Sequence, residues 1–222
     1  MMKNGIILIG LTGLVLSACI KHEVIPAPTP QVDLYSHFFG VINNTDTEWT
    51  QNVLGYGNSS TKVKFVLPPG SISTAVYYST ISSSDYTPRI SVGLGNINFD
   101  SGVAPDPTLL QFNAFFPANN LPLYENGGNN GFEVVYTADH TGPVGGTRDW
   151  KSSSISFYTD STVAFTGIKQ ESDETGDYSK FICTFDCMVY SLHPDSLALL
   201  VPVLHVDSLI IEDAVYEGWF KR

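Results

Sequence analysis

The chain has 222 residues, with 22 Asp and Glu against 11 Lys and Arg, a formal net charge of −11, 12% aromatic residues and 15% charged residues. This composition supports a sizeable buried core and excludes a chain disordered beyond its N-terminal segment. An acidic surface repels phosphate backbones, which excludes nucleic acid as a partner class and leaves neutral glycans, proteins and cations open.

In chain order, the first element is a targeting segment. Lys3 supplies a short positive region, Ile6 to Leu16 form an apolar run, and the small residues Ser17 and Ala18 precede Cys19. This is the grammar of a secretory signal peptide. The apolar run falls short of the ~20 residues that a membrane-spanning helix needs. "LSAC" resembles the lipobox of bacterial lipoproteins. The resemblance implies that residues 1–18 are removed as a signal peptide and that acyl chains, palmitate among them, are added at Cys19. Several acyl chains at ~0.8 kcal/mol per buried CH₂ anchor a protein stably. Ile20 after the cysteine, rather than Asp, implies the outer membrane on the same resemblance. The short charged run "KHE" at 21–23 leaves both the periplasmic side and the cell surface open. Residues 19–31 then form a tether in which Pro26, Pro28 and Pro30 favour polyproline II. At ~3.1 Å per residue it holds a domain up to ~35 Å from the membrane.

From Val32 to Arg222 the pattern is that of one β-domain. In "TKVKFVL" Val63, Phe65 and Leu67 share a face, and Lys62 and Lys64 point the other way. "STAVYYST", "RISVGLGNINF", "FEVVYTA", "SSISFYT" and "TVAFTGI" alternate in the same manner between Gly, Pro, Asn, Asp and Ser clusters. In "KFICTFDCMVY" Phe181, Cys183, Phe185, Cys187 and Val189 form an apolar face. In "AVYEGWFKR" Ala214, Tyr216 and Phe220 do so. The expected architecture is all-β: an antiparallel, jelly-roll-like β-sandwich of roughly ten strands. One short helix is expected near residues 107–116. Asp106 is placed to cap it, Pro107 suits its first position, and Leu109, Phe112 and Phe116 make its inner face. "HPDSLALLVPVL" reads as a buried strand ending near Val201, with a helix capped by Asp195 or Ser196 as the alternative.

Several of these pieces together resemble a loose group of Bacteroidota-type lipoproteins with a β-sandwich domain. They are "FFGVINNTDTEW", "FNAFF", "GGTRDWKSSSISF", the "FxCxF" strand and the final "GWF". The resemblance spans most of Phe38 to Phe220. It implies a fold and an envelope compartment, and no activity.

Motifs that carry chemistry are few. Cys183 and Cys187 lie ~13 Å apart on a strand, beyond the ~7 Å that a disulfide spans, so they read as small core residues. His22, His37, His140, His193 and His205 form neither HxH nor HExxH, and no GxSxG, P-loop or Rossmann signature occurs. No catalytic residue and no metal site is assigned. No cofactor is expected; Glu171, Asp173, Glu174 and Asp177 offer oxygens to Ca²⁺, but without EF-hand spacing they read first as a solvated hairpin tip. The binding candidates are Tyr124 in "PLYENGGNNG" and Arg148, Asp149 and Trp150 after the Gly-rich run "HTGPVGG". A flexible loop with an aromatic platform and hydrogen-bonding side chains suits a binding rim. The competing reading of Trp150 is an indole that anchors its loop to the core.

The expected function is a lipid-anchored, non-catalytic envelope module that binds a glycan or a protein. A jelly-roll glycoside hydrolase is one alternative and predicts a paired-carboxylate cleft. A structural subunit of an envelope complex is the other and predicts an exposed apolar patch or an open strand edge.

Overall fold

A computed structural model describes residues 30–125, 131–140, 146–153, 156, 163–194 and 204–222. The expected signal peptide, Cys19 and nearly all of the tether lie outside the described residues, as does most of "HPDSLALLVPVL". The described chain from Gln31 to Arg222 belongs to one compact unit. Among the described residues no helix is long and apolar enough to cross a membrane.

Most of "SSISFYT" lies outside the described residues, and the other period-two runs fall in the ten antiparallel strands that the described residues form. They are β1 His37–Ile42, β2 Thr45–Thr50, β3 Gly57–Phe65, β4 Ile72–Ser82 and β5 Arg89–Asp100, followed by β6 Gly131–His140, β7 Gly146–Lys151, β8 Ala164–Asp173, β9 Gly176–Pro194 and β10 Leu204–Lys221. They make one curled sheet in the order β2-β1-β10-β9-β7-β6-β5-β4-β3, with β8 added to the first half of β9. The fold is thus all-β and sandwich-like, with the two layers supplied by one sheet that bends over itself. β10 crosses β3 and β4, where the Trp219 amide donates to Ser79 Oγ at 3.3 Å and the Lys221 amide donates to Ser60 Oγ at 2.9 Å. These side-chain acceptors stand in for ladder bonds along the seam.

The core faces of β9 and β10 follow the alternation in the sequence. Phe181, Cys183, Phe185, Cys187 and Val189 are buried, as are Ala214, Tyr216 and Phe220. Facing them are Tyr77, Ile90, Val92, Phe132 and Val134 of the other layer. Aromatic rings join the layers: Phe132 of β6 lies 5.4 Å from Phe185 of β9, centroid to centroid, and within the β9–β10 layer Phe220 stacks on Phe181 at 4.4 Å. Each such ring removed from water contributes ~1.5–3 kcal/mol. Trp49 is buried against Phe38 and Tyr56.

Among the described residues one α-helix, α1, spans Leu109–Ala118, and it begins later than the sequence suggests. Thr108, not Asp106, caps it, in a capping box with Gln111. Asp106 is occupied elsewhere: its carboxylate binds Lys62 Nζ at 2.7 Å and Lys64 Nζ at 2.9 Å. Phe112 and Phe116 are buried against Tyr77, whereas Leu109 is exposed.

β3 keeps its alternation but inverts its faces. Lys62 and Lys64 turn toward the connection after β5, which brings Asp106 to meet them, and Val63 and Phe65 face solvent. The lysines take the inward side because an acid is waiting there, which period-two patterning does not reveal.

Candidate functional site

The strands β5, β6 and β7 bring Arg89, Thr137 and Asp149 into one row, since Arg89 pairs with Thr137 and Thr137 with Asp149. Arg89 Nε donates to Thr137 Oγ1 at 3.0 Å, and that hydroxyl donates to Asp149 Oδ1 at 2.6 Å. The Arg89 guanidinium also approaches Asp149 at 3.5 Å. Asp149 is therefore held in place and partly neutralised.

β7 meets β9 through a single register pair, Lys151 with Tyr190. Beyond it the described parts of the two strands do not pair. A groove of about 520 Å³ lies at this junction, lined by Asp149, Lys151, Ser152, Ser153, Tyr190, Leu192 and Val206. Leu192 and Val206 are cross-strand partners on β9 and β10, and both are largely exposed. Arg148, one residue from Asp149, points to the other side of β7, where Nη1 binds Asp207 Oδ2 at 2.7 Å. This pair ties β7 to β10 across the place where the sheet opens.

Lys151 stands out by its charge. Among the described residues Lys62, Lys64, Arg89, Arg148, Lys169, Lys180 and Arg222 are each ion-paired. Lys221 sits over the Tyr178 ring at 5.6 Å. Lys151 alone of the described cations has no such partner, and it is exposed in the groove of a chain whose net charge is −11. The Tyr190 hydroxyl is likewise uncommitted among the described residues. The arrangement offers one ammonium and one phenol donor beside two apolar side chains. That suits a ligand with an anionic or acceptor group next to an apolar one.

The four rim candidates do not converge. Trp150 is 6% exposed and packs against Tyr136 at 5.7 Å; it is the core anchor of its strand. Tyr124 is 2% exposed, and its hydroxyl donates to the Asp186 carbonyl at 2.7 Å, while burial pushes its pKa up. Neither presents a ring face to solvent. Arg148 is committed to Asp207, and Asp149 is the one of the four that borders the groove. Most of the Gly-rich runs before Trp150 and after Tyr124 lies outside the described residues.

The acidic hairpin is built for itself. Asp173 accepts from the Thr175 hydroxyl, the Thr175 and Gly176 amides and the Val32 amide. The Thr175 hydroxyl foremost, and the Val32 amide next, hold its carboxyl down to about 2. Glu171 pairs with Lys169 and Lys180, and Asp177 with Arg222 at 2.6 Å. Among the described residues no group of three or more His, Cys, Asp or Glu is placed to hold a metal ion.

Lys151, Tyr190, Leu192 and Val206 are the lining residues that motif reading misses. One signal was available: continued alternation puts Tyr190 and Leu192 on the face of β9 opposite its cysteines. Comparison with protein-family models, with curated proteins and with solved structures finds no match to this chain.

Proposed function

We propose that the chain is a lipid-anchored protein of the outer membrane whose β-domain binds a protein partner, without catalysis, through the β7–β9 groove. The anchor half of the reading rests on the lipobox-like "LSAC" and the proline tether. The binding half rests on one observation: the described cation without an internal partner, Lys151, lies in a groove beside exposed Leu192 and Val206. A polypeptide segment with a carboxylate next to an aliphatic side chain matches these groups. A glycan fits less well, because Trp150 and Tyr124 are buried and the described lining then offers stacking on sugars a single half-buried ring, Tyr190. The glycosidase alternative needs two working carboxylates. The described lining of the groove offers Asp149, which is engaged by Thr137 and Arg89.

A panel of short peptides pairing Leu or Val with Asp or Glu, with Lys-substituted copies and a glycan array as comparisons, tests the reading on the full chain. Acidic-apolar peptides should bind and Lys-substituted copies should not. Binding of neutral glycans with silence on every peptide would overturn it.

A further inference from the structure

The β3–β4 turn and the connection from β5 to α1 are knitted into one tip. Ser101 Oγ donates to the Leu67 carbonyl at 2.6 Å, the Gly70 amide donates to Asp100 Oδ1 at 3.1 Å, and the Val103 amide donates to the Asp100 carbonyl at 3.0 Å. This tip exposes Phe65 at 66%, Val66 at 55%, Ile72 at 65% and Val103 at 80%. Clustered apolar exposure of this kind marks an interaction surface.

Two features say what covers it. The first is where the tether joins the domain. The Val32 amide is bonded to Asp173 at the β8–β9 turn. From that turn a continuous set of contacts leads to the tip: Asp177 to Arg222 at 2.6 Å, Arg222 Nη1 to the Pro107 carbonyl at 3.3 Å, and Asp106 to Lys64 at 2.9 Å, next to Phe65. The second is charge. Asp106 is spent on Lys62 and Lys64, a trio that keeps one net positive charge, and the Asp100 carboxylate is turned inward onto the Gly102 and Gly70 amides, which hold its pKa below the usual carboxylate range. The tip therefore presents apolar side chains without the free negative charge that keeps the rest of an acidic domain away from a membrane surface. The groove lies far from this side: Tyr190 is fourteen residues along β9 from Gly176, or ~46 Å of strand.

We infer that Phe65, Val66, Ile72 and Val103 form a lipid-contacting tip that seats the domain on the bilayer beside its anchor, with the groove turned away. The inference rests on the lipid anchor proposed above and adds a second, non-covalent contact to it. Partial burial of aliphatic and aromatic side chains at the acyl boundary is how monotopic surfaces hold a bilayer.

The test uses the full lipidated chain, reconstituted into phosphatidylethanolamine–phosphatidylcholine vesicles. A bimane fluorophore is placed at Val103→Cys or, as the comparison, at Leu192→Cys. Both positions are exposed, so the fold is retained, and Cys183 and Cys187 are buried from the label. Lipids with brominated acyl chains should remove most of the emission at 103 and leave that at 192 unchanged. Emission at 103 that is quenched by aqueous iodide and untouched by brominated lipid, on chains that float with the vesicles, overturns the tip while leaving the anchor standing. Emission at 103 shielded from both quenchers assigns the tip to a protein partner and also overturns the inference. Chains that do not float overturn the anchor and the tip together.

Discussion

The hydroxyls of Ser79 and Tyr216 meet at 3.0 Å across 137 residues of sequence, in the buried seam where β10 crosses β4. Ser79 also accepts from the Trp219 amide. Gly218 sits between them with no room for a side chain: a Cβ there would lie 2.6 Å from Ser79 Oγ and closer still to the Tyr216 ring. Ser79→Ala leaves a buried phenol and a buried amide short of a partner, a loss of roughly 1–3 kcal/mol. Gly218→Ala should cost at least as much, because the seam must open to admit it. Urea unfolding of the variants measures both; stabilities within ~0.5 kcal/mol of wild type would mean that the seam does not hold the two layers together.

The Asp173 turn predicts an acid limb. Its carboxyl is lowered from 3.8 to about 2, by the Thr175 hydroxyl first and the Val32 amide second. A carboxyl depressed on folding stabilises the fold above its unfolded value, and that contribution fades as pH falls through the folded one. The advantage of wild type over Asp173→Asn in a urea midpoint should be full above about pH 5, shrink below about pH 4 and be gone near pH 2. An advantage that stays constant across this window would remove Asp173 as the clamp on Val32.

Cys183 and Cys187 are fully buried on one face of β9, and burial pushes both thiols up from 9.0. A thiol without thiolate character or access does not react. Neither cysteine should react with a chromogenic disulfide reagent at pH 8 in the native protein, and both should react in denaturant. Rapid native modification at either site would place it outside the core.

Much of the scaffold was written in period two. The alternation around Cys183 and Cys187 and around Tyr216 and Phe220 named the buried faces of the two longest strands, because each has an apolar run on one side there. The same rule picked the wrong side of β3, since an edge strand's faces are decided by what folds over them, here Asp106 on Lys62 and Lys64. The binding groups were harder to read. Trp150 and Tyr124 are aromatic in loop-like sequence, yet a strand and a single bridge draw them into the core. Lys151 looks like any surface lysine in "WKSSS". What distinguishes it is that the other described cations have found partners, which only the tertiary fold discloses.

A groove that binds as proposed reads charge through Lys151. Fluorescence polarisation with a labelled acidic-apolar peptide and its Lys-substituted twin, on wild type and on Lys151→Glu, tests it directly. A reversal is expected: the variant loses the acidic peptide by roughly tenfold, or ~1.4 kcal/mol, and gains the basic one. Equal affinity of both proteins for the acidic peptide would contradict it.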